Sequence, residues 1–227
     1  DATGCPGATV RFGWDGQVRQ VLGAMVSGPT GRASVIEFEE RHAHVSVTFA
    51  LGAAPCFLAL PLALLRDDLV PLEEVCDGAG AFLRGRLLEA ASPGKALAVM
   101  EAFLIGQMVD DACPDPAVIA AARALARGSG VGDVAERLGL LSRTLRRRFA
   151  AQVGLSPKSL ARIHRFRAAL VMLDAGTHPL PWAELAERCG YFDQSHLIND
   201  FRRFTGLSPL ELRRRDRPDP QSVVLRR

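Results

Sequence analysis

The chain contains two copies of one pattern, VAERLGLLSRTLRRRFAAQVGLSPKSL at residues 134–160 and LAERCGYFDQSHLINDFRRFTGLSPLEL at residues 185–212. An Ala-Glu-Arg triplet and a following glycine match at an offset of 51 residues, which places Ala135 against Ala186. Further on, a leucine, a phenylalanine and a Gly-Leu-Ser-Pro sequence match at an offset of 52, which places Leu145 against Leu197. A repeat of this kind means that one supersecondary unit is used twice.

Each copy predicts a short helix, a tight turn, a second helix and then the start of another helix. Gly139 follows the first helix of copy one, where glycine adopts a left-handed backbone conformation at little steric cost. Leu145 and Phe149 are four residues apart, so they lie on one face of the second helix and anchor it to the first. This arrangement is a helix-turn-helix, and it leaves the opposite face of the second helix towards solvent.

The outward faces of the two second helices differ in chemistry. In copy one, Arg143, Arg146 and Arg147 form a cationic ridge. An alternative interpretation is a charged helix face that is exposed to solvent and binds nothing. In copy two the outward positions are Gln194, Ser195, Ile198, Asn199 and Arg202. Amides, hydroxyls and guanidinium groups can pair with base edges in the major groove of DNA.

A long helix is predicted from Pro157 to the glycine at 176, and it connects the two copies. Ser156 and Ser208 are N-cap residues for the helices that begin at Pro157 and Pro209. At 1.5 Å per residue, roughly 18 residues span about 27 Å. We call this connecting helix the rod and the second helix of each copy a reading helix. Two reading helices separated by the rod fit into successive major grooves of DNA, which recur about every 34 Å. Three arginines line the rod: Arg162, Arg165 and Arg167.

The charge of the chain is divided between its two halves. The whole chain has a formal net charge of +3. Residues 1–112 contain 8 Lys and Arg against 14 Asp and Glu, a net charge of −6, and the remaining residues contain 20 against 11, a net charge of +9. A basic C-terminal half indicates a polyanionic partner, and double-stranded DNA is the one that fits the repeat.

The N-terminal half predicts short strands followed by helices. The strands are expected at 8–12, 18–26, 33–39 and 44–51, where Val, Ile, Phe and Thr are frequent and Gly, Pro or charged residues intervene. Val45, Val47 and Phe49 would share one face of the last strand. From Pro61 the spacing becomes helical, with a short turn interrupted at Pro71 and helices at 78–90 and from 93 onwards. The second of these helices has an apolar stripe that favours a core helix or a dimerisation helix. The stripe consists of Leu97, Met100, Phe103, Leu104 and Met108.

These patterns together predict an α+β protein of two domains. Residues 1–112 form a small β-sheet, or partial sandwich, with covering helices, as a sensor or dimerisation domain. Residues 113–215 form an all-α domain of two helix-turn-helix units joined by a long helix, after a hinge at Cys113–Pro116. Residues 216–227 contain prolines and charges without periodicity and are expected to form a disordered tail.

The remaining sequence features bear on location and on the class of protein. Five cysteines lie far apart without a Cys-x-x-Cys pair, which is typical of free thiols in a reducing cytosol. No apolar run reaches roughly 18 residues, and no signal-peptide pattern occurs in these residues. We therefore expect a cytoplasmic protein that does not span a membrane.

An alternative reading concerns Glu37, Glu39, His42 and His44, which fall within eight residues. A His-x-His pair in a β-sandwich can hold a metal, as in a cupin-like small-molecule or metal-binding protein whose basic half associates with nucleic acid only nonspecifically. No third histidine is near this pair, so we expect no metal and no other cofactor. Nucleophilic catalysis is also not indicated, because no Gly-x-Ser-x-Gly sequence occurs and no cysteine has a histidine partner in sequence. The sequence therefore predicts no enzyme.

Residues 114–215, with both repeats and the connecting helix, resemble the DNA-binding domain of AraC/XylS-type transcription regulators. The second copy, AERCGYFDQSHLINDFRRFTGLSPLEL, is similar to the signature of that family. Residues 45–75, VSVTFALGAAPCFLALPLALLRDDLVPLEEV, resemble more weakly the sensor domains attached to such regulators. The resemblance implies a transcription regulator with a small-molecule effector and a homodimer as expected partners.

Carried over by position, the resemblance assigns DNA-contacting roles to two sets of side chains. The residues expected to contact bases are Arg143, Arg146, Arg147, Gln194, Ser195 and Asn199. Those expected to contact phosphates or the flank of the site are Arg148, His196, Arg202 and Arg203. The sequence departs from the family pattern at Leu141, where a capping serine is common, and at Asn199, where an arginine is common.

Overall fold

We describe the protein from a computed structural model, which describes residues 9–14, 17–32, 35–38, 45–109, 114–175 and 181–214. Contacts between Cα atoms divide the chain into two units. The first comprises Asp1–Thr30, Ser34–Ile119 and Arg146–Leu155, and the second comprises Gly31–Ala33, Ala120–Leu145 and Ser156–Arg227. The predicted hinge begins at Cys113, and the predicted disordered tail covers 216–227; both Cys113 and this tail lie outside the described residues.

In the described residues, five strands form two small antiparallel sheets. The strands are β1 (Thr9–Trp14), β2 (Gln17–Leu22), β3 (Met25–Ser27), β4 (Val35–Phe38) and β5 (Leu69–Pro71). One sheet has the order β2-β1-β4, and the other pairs β3 with β5, with Val26 opposite Val70. The predicted strand at 18–26 is divided because Gly23 adopts φ = 96°, a conformation that interrupts an extended chain. The α+β class is confirmed.

The predicted strand at 44–51 is wrong. Residues 45–50 have no regular secondary structure, and Val47 is exposed rather than buried beside its neighbours. Phe49 instead stacks on Phe57, with ring centroids 5.2 Å apart. Alternating apolar residues form a strand only where a partner strand and a buried face are available, and Val47 has no such face.

The N-terminal part of the chain also contains the helices α1 (Leu72–Val75), α2 (Ala79–Leu88) and α3 (Pro93–Gly106), with 3-10 turns at Ala54–Cys56 and Leu62–Leu65. The core of this part consists of Ala54, Leu58, Leu62, Leu65, Leu72, Cys76 and Leu83. Val26 of β3, Val70 of β5 and Phe103 of α3 pack against that core. The predicted cover of a sheet by helices is thus confirmed for the β3–β5 sheet. Leu97 and Met108 of the predicted apolar stripe are exposed.

Among the residues described from 114 onwards, seven helices follow: α4 (Pro116–Ala126), α5 (Val131–Arg137), α6 (Ser142–Val153), α7 (Pro157–Ala175), α8 (Trp182–Arg188), α9 (Gln194–Thr205) and α10 (Pro209–Arg213). The helix α7 has 19 residues and is the predicted rod, about 28 Å long. Its first turn is capped by Ser156, whose Oγ accepts a hydrogen bond of 3.0 Å from the backbone N–H of Ser159. Ser208 caps α10 in a capping box with Glu211. The predicted order of helices in this half is confirmed.

The core of the second helix-turn-helix lies among α7, α8, α9 and α10. Its buried residues are Phe166, Ala169, Leu185, Ala186, Cys189, Tyr191, Leu197, Phe201 and Leu212. Phe166 meets Phe201 edge to face, with ring centroids 5.0 Å apart, a geometry favoured by aromatic quadrupoles. This packing leaves one side of α9 outside the core.

No helix in the described part of the chain is both long enough and apolar enough to cross a membrane.

Candidate nucleic-acid interface

The first helix-turn-helix consists of α5 and α6. Gly139 ends the first helix with φ = 62°, and the N–H of Leu140 then donates to the carbonyl of Ala135 at 2.9 Å. The left-handed residue lets the chain reverse over a few residues, as the sequence predicted. Val134 and Ala135 of α5 are buried, so this helix has an inward face.

The helix α6 has one buried face and one cationic face. Leu145 and Phe149 are fully buried, so the predicted anchoring face is confirmed. Arg143, Arg146 and Arg147 are exposed, as expected for the outward face. Three guanidinium groups within two turns create a positive potential that attracts phosphate and can donate paired hydrogen bonds to guanine.

Arg148, a predicted flank residue, has a partner within the protein. Its Nη1 lies 3.2 Å from Oδ2 of Asp115, the residue that also caps α4 through the N–H of Ala117 at 2.8 Å. This ion pair directs the Arg148 guanidinium towards the start of α4. A contact of Arg148 with DNA therefore requires its guanidinium to leave Asp115.

The second helix-turn-helix consists of α8 and α9. Gly190 has φ = 72° and performs the same turn as Gly139. Asp193 caps α9, because its Oδ1 accepts a hydrogen bond of 2.7 Å from the N–H of His196. A short acidic cap of this kind stabilises a helix by about 1 kcal/mol and fixes where its first turn begins.

The outward face of α9 is polar and only weakly charged. Gln194, Ser195, Asn199 and Arg202 are exposed, whereas Leu197 and Phe201 are fully buried. The sequence also placed Ile198 on the outward face, and this is wrong. Ile198 is half-buried and packs against the second-unit core, because it lies beside Leu197 and Phe201 on the helical wheel.

Two predicted flank residues of α9 are held by the protein. The His196 ring packs edge to face on Tyr191, with centroids 5.1 Å apart. Arg203 donates a hydrogen bond from Nε to the carbonyl of Gly31 at 3.2 Å. Arg202, the third predicted flank residue of this helix, is exposed.

A buried ion pair that was not recognised from the sequence joins α7 to α9. Asp200 is fully buried, and its Oδ1 accepts a hydrogen bond from Nε of Arg162 at 3.1 Å and a second one from Nη2 of the same residue. Both N–H groups converge on this one carboxylate oxygen, and the opposite charges strengthen the two hydrogen bonds. Helical spacing could have revealed it, because Asp200 is three residues after Leu197 and next to Phe201, on the apolar side of the helix.

The arginines of the rod consequently differ in role. Arg162 binds Asp200, and Arg165 lies over the Tyr191 ring at 5.6 Å from its centroid, a cation–π contact. Arg167 is exposed. Two of the three rod arginines therefore hold the second helix-turn-helix together rather than forming a continuous cationic surface along α7.

Cysteines and metal ligands contribute little to the described site. Cys56, Cys76 and Cys189 are free thiols, and burial raises the pKa of Cys76 and of Cys189, which keeps these two thiols protonated. Among the residues that the structure describes, no group of three His, Cys, Asp or Glu residues could hold a metal ion. Glu39, His42 and His44, which carry the metal-site alternative, lie outside those residues, and Glu37 is described only as part of β4.

A pH dependence of stability is expected from His164 on α7. Burial, and next the positive charge of Arg167, lower the pKa of His164 below its usual value. The unfolded chain then binds a proton more readily than the folded chain, so stability present above about pH 6.5 is lost as the pH falls through the folded pKa. Urea unfolding at pH 7.5 and pH 5.5 should show a smaller loss at acid pH for His164→Gln than for the wild type. Equal losses would show that another group is responsible.

Comparison with known proteins identifies the region that contains both helix-turn-helix motifs. The family described as "Helix-turn-helix domain" matches residues 134–215. One similar solved structure is the C-terminal domain of AraT, a response regulator from Geobacillus stearothermophilus, at 28% identity over 44% of this chain and 85% of that chain, with a TM-score of 0.41. Another is the DNA-binding domain of AdpA, a global transcriptional factor, in complex with a target DNA, at 31% identity over 44% of this chain and 90% of that chain, with a TM-score of 0.39.

No curated protein matches the chain. The family match covers both turns and both outward-facing helices described above. Residues 134–215 therefore belong to the AraC/XylS-type helix-turn-helix domains.

Proposed function

We propose that the protein is a sequence-specific DNA-binding transcription regulator that reads double-stranded DNA with α6 and α9. The observation that carries the proposal is a two-faced helix in each helix-turn-helix: a leucine and a phenylalanine are fully buried, while polar or cationic side chains face outward. A helix held in this way can enter the major groove, where its outward residues meet base edges. The family match at 134–215 supports the same function.

The two helices would read different features of the DNA. Arg143, Arg146 and Arg147 of α6 donate hydrogen bonds suited to the O6 and N7 atoms of guanine, and their charge also favours phosphates. Gln194 and Asn199 of α9 can pair with the N6 and N7 atoms of adenine, and Ser195 can pair with several bases. We therefore propose an asymmetric site in which the two halves differ in sequence.

Phosphate contacts would come mainly from Arg202 among the predicted flank residues. Arg148 is paired with Asp115, Arg203 donates to the Gly31 carbonyl, and His196 packs on Tyr191. Contacts by these three would require their side chains to leave those partners. We infer that they support the position of the helices more than they bind phosphate.

The first unit is proposed to sense an effector or to form a homodimer in the cytoplasm. This proposal is supported by exposed apolar side chains on α2 and α3, among them Phe82, Leu97 and Ile105. Large apolar side chains that remain exposed in the monomer lose unfavourable contact with water when a partner covers them. We propose a binding role for the chain rather than a catalytic one.

The proposal can be tested with single substitutions on the cationic ridge. A binding site is first selected from a random DNA pool with the full chain. Arg146→Ala and Arg147→Ala should each weaken binding to that site by about 1 to 3 kcal/mol and relax the preference at one base pair, because each removes a bidentate reader. Arg86→Ala, which removes an exposed arginine from α2, is the matched control and should bind as the wild type does.

The pattern of outcomes separates the two functions considered. If both ridge variants bind the selected site as the wild type does, α6 is not a reading helix. If the random pool yields no preferred sequence, the protein associates with DNA only nonspecifically, and the function of the chain must lie in its first unit.

A further inference from the structure

Each reading helix is preceded by an exposed apolar side chain that the proposed function does not use. Phe192 is 93% exposed, the largest exposed fraction among the large apolar side chains of the described residues. Leu141, which directly precedes α6, is 62% exposed. Single exposed apolar residues are common on protein surfaces, so the argument depends on where these two lie.

The backbone fixes Phe192 at the N-terminal end of α9. It directly precedes Asp193, whose side chain caps the helix through the N–H of His196. Gln194 and Ser195 follow at once and are exposed. Because the N-terminal residues of a helix-turn-helix reading helix are those that meet base edges, the Phe192 ring lies beside the proposed base contacts.

Leu141 lies at the matching end of α6, with Ser142 as the first residue of that helix. Its side chain has no oxygen and cannot accept a hydrogen bond from the first turn, so it does not serve as a helix cap. Both copies of the repeat thus present an apolar group at the end of the helix that faces the bases, although the two copies differ in almost every other outward residue.

The chemistry of the major groove contains one apolar group. Thymine presents its 5-methyl group there, whereas the other groups that distinguish the base pairs are hydrogen-bond donors and acceptors. Arginine, glutamine, serine and asparagine read donors and acceptors. An exposed phenylalanine has no hydrogen-bonding group, and burial against a methyl group would remove apolar surface of both partners from water.

We propose that Phe192 reads a thymine by packing its ring on the 5-methyl group in the major groove, and that Leu141 occupies the corresponding place in the first helix-turn-helix. The inference rests on the proposed DNA-binding function. It adds recognition of the thymine methyl group, which the polar residues do not read. The specificity of each half-site then has an apolar component at its edge.

The test removes the methyl group and the ring separately. In the selected site, each thymine is replaced in turn by deoxyuridine, which lacks the methyl group and retains every hydrogen-bonding group. Binding of the full chain is measured for the wild type and for Phe192→Ala. Replacing the thymine that Phe192 contacts should weaken wild-type binding about three- to fivefold, the value expected for burial of one methyl-sized group.

Phe192→Ala should bind the unmodified site more weakly than the wild type, and the same deoxyuridine should then have no further effect. Phe192→Leu, which keeps an apolar side chain, should retain part of the methyl dependence. Leu64→Ala is the matched control, since Leu64 is 73% exposed in the 3-10 turn at Leu62–Leu65, far along the chain from either reading helix. It should retain the full response to deoxyuridine. Leu141→Ala should remove the response at a different thymine.

Three results would overturn the inference. One is that no deoxyuridine weakens wild-type binding while binding to the selected site remains specific. Another is that Phe192→Ala binds as the wild type does, and the third is that it weakens binding equally for thymine and deoxyuridine at every position, which would indicate contact with the sugar-phosphate backbone. In all three cases DNA binding itself stands. Failure to select any site would instead contradict the proposed function.

Discussion

Arg162→Met is expected to lower the free energy of unfolding of the second helix-turn-helix by about 3 to 5 kcal/mol, because it leaves the buried carboxylate of Asp200 without its partner. Asp200 is 0% exposed, whereas the Arg162 side chain is 27% exposed. The loss of the arginine should therefore cost more than the loss of the aspartate, because the arginine can still reach water. Methionine retains most of the aliphatic stem, so the change tests the charge rather than the packing.

The measurement uses the fluorescence of Trp182, which packs against the core of the second unit. Chemical denaturation is followed in a Trp14→Phe background, so that only this indole reports. Arg167→Met, an exposed arginine on the same helix, is the matched control and should change stability by less than about 0.5 kcal/mol.

The double variant Arg162→Met with Asp200→Leu should recover most of the lost stability. Replacing both members of a buried ion pair by apolar residues of similar size is often neutral or stabilising, because neither charge must then be desolvated. A double variant as unstable as the single one would mean that Arg162 acts through contacts other than Asp200. A stable single variant would show that the pair contributes little.

Binding to the selected DNA site should weaken about a hundredfold when the salt concentration rises from about 50 to about 200 mM, if about four phosphates are neutralised. Each neutralised phosphate contributes about 0.9 to the slope of log affinity against log salt, since condensed counterions are released. The exposed arginines of α6 and α9 can supply these contacts: Arg143, Arg146, Arg147 and Arg202. A slope near zero would contradict DNA binding altogether.

The same slope distinguishes arginines that look alike in the sequence. Arg202→Ala should reduce it by about one, with little change in base preference. Arg203→Ala and Arg148→Ala should change it less, because those side chains are engaged by the Gly31 carbonyl and by Asp115. Equal reductions for all three would mean that these internal contacts are exchanged for phosphate contacts in the complex. Affinity gel shifts over a salt series provide the measurement.

The helical half could be predicted in detail because its pattern is local. Leu145 and Phe149 repeat at four residues, Gly139 and Gly190 mark turns with positive φ, and Ser208 and its proline mark a helix start. Each of these signals acts through neighbours within one or two turns. The local sequence is therefore sufficient to predict these helices.

The first half was predicted less well, because its pairings join residues distant in sequence. The strand β5 pairs with β3 over a separation of more than forty residues, and nothing in Leu69–Pro71 alone indicates a partner. The alternation at 45–49 looked like a strand, but Val47 is exposed and Phe49 stacks on Phe57. Sheet formation depends on such nonlocal contacts more than on intrinsic preference.

The sequence predicts which faces of α6 and α9 are exposed, but not which residues of the protein the arginines bind. The sequence identified the outward arginines of α6 and the polar residues of α9, and the structure confirms their exposure. It gave no means to foresee that Asp115 engages Arg148 or that Asp200 engages Arg162, because each pair is more than thirty residues apart. Long arginine side chains reach several partners, so their position on a helix does not determine what they bind.

The pairing of Arg162 with Asp200 also has an evolutionary consequence. Loss of either residue alone is expected to be costly, whereas replacement of both by apolar residues is expected to be tolerated, so the two positions should vary jointly among homologous chains. The outward residues of α9 are under no such constraint, because Gln194, Ser195 and Asn199 do not contribute to the buried pair. The preferred DNA sequence can thus change through single substitutions on the outward face of α9, whereas the buried face changes only when both members of the ion pair change.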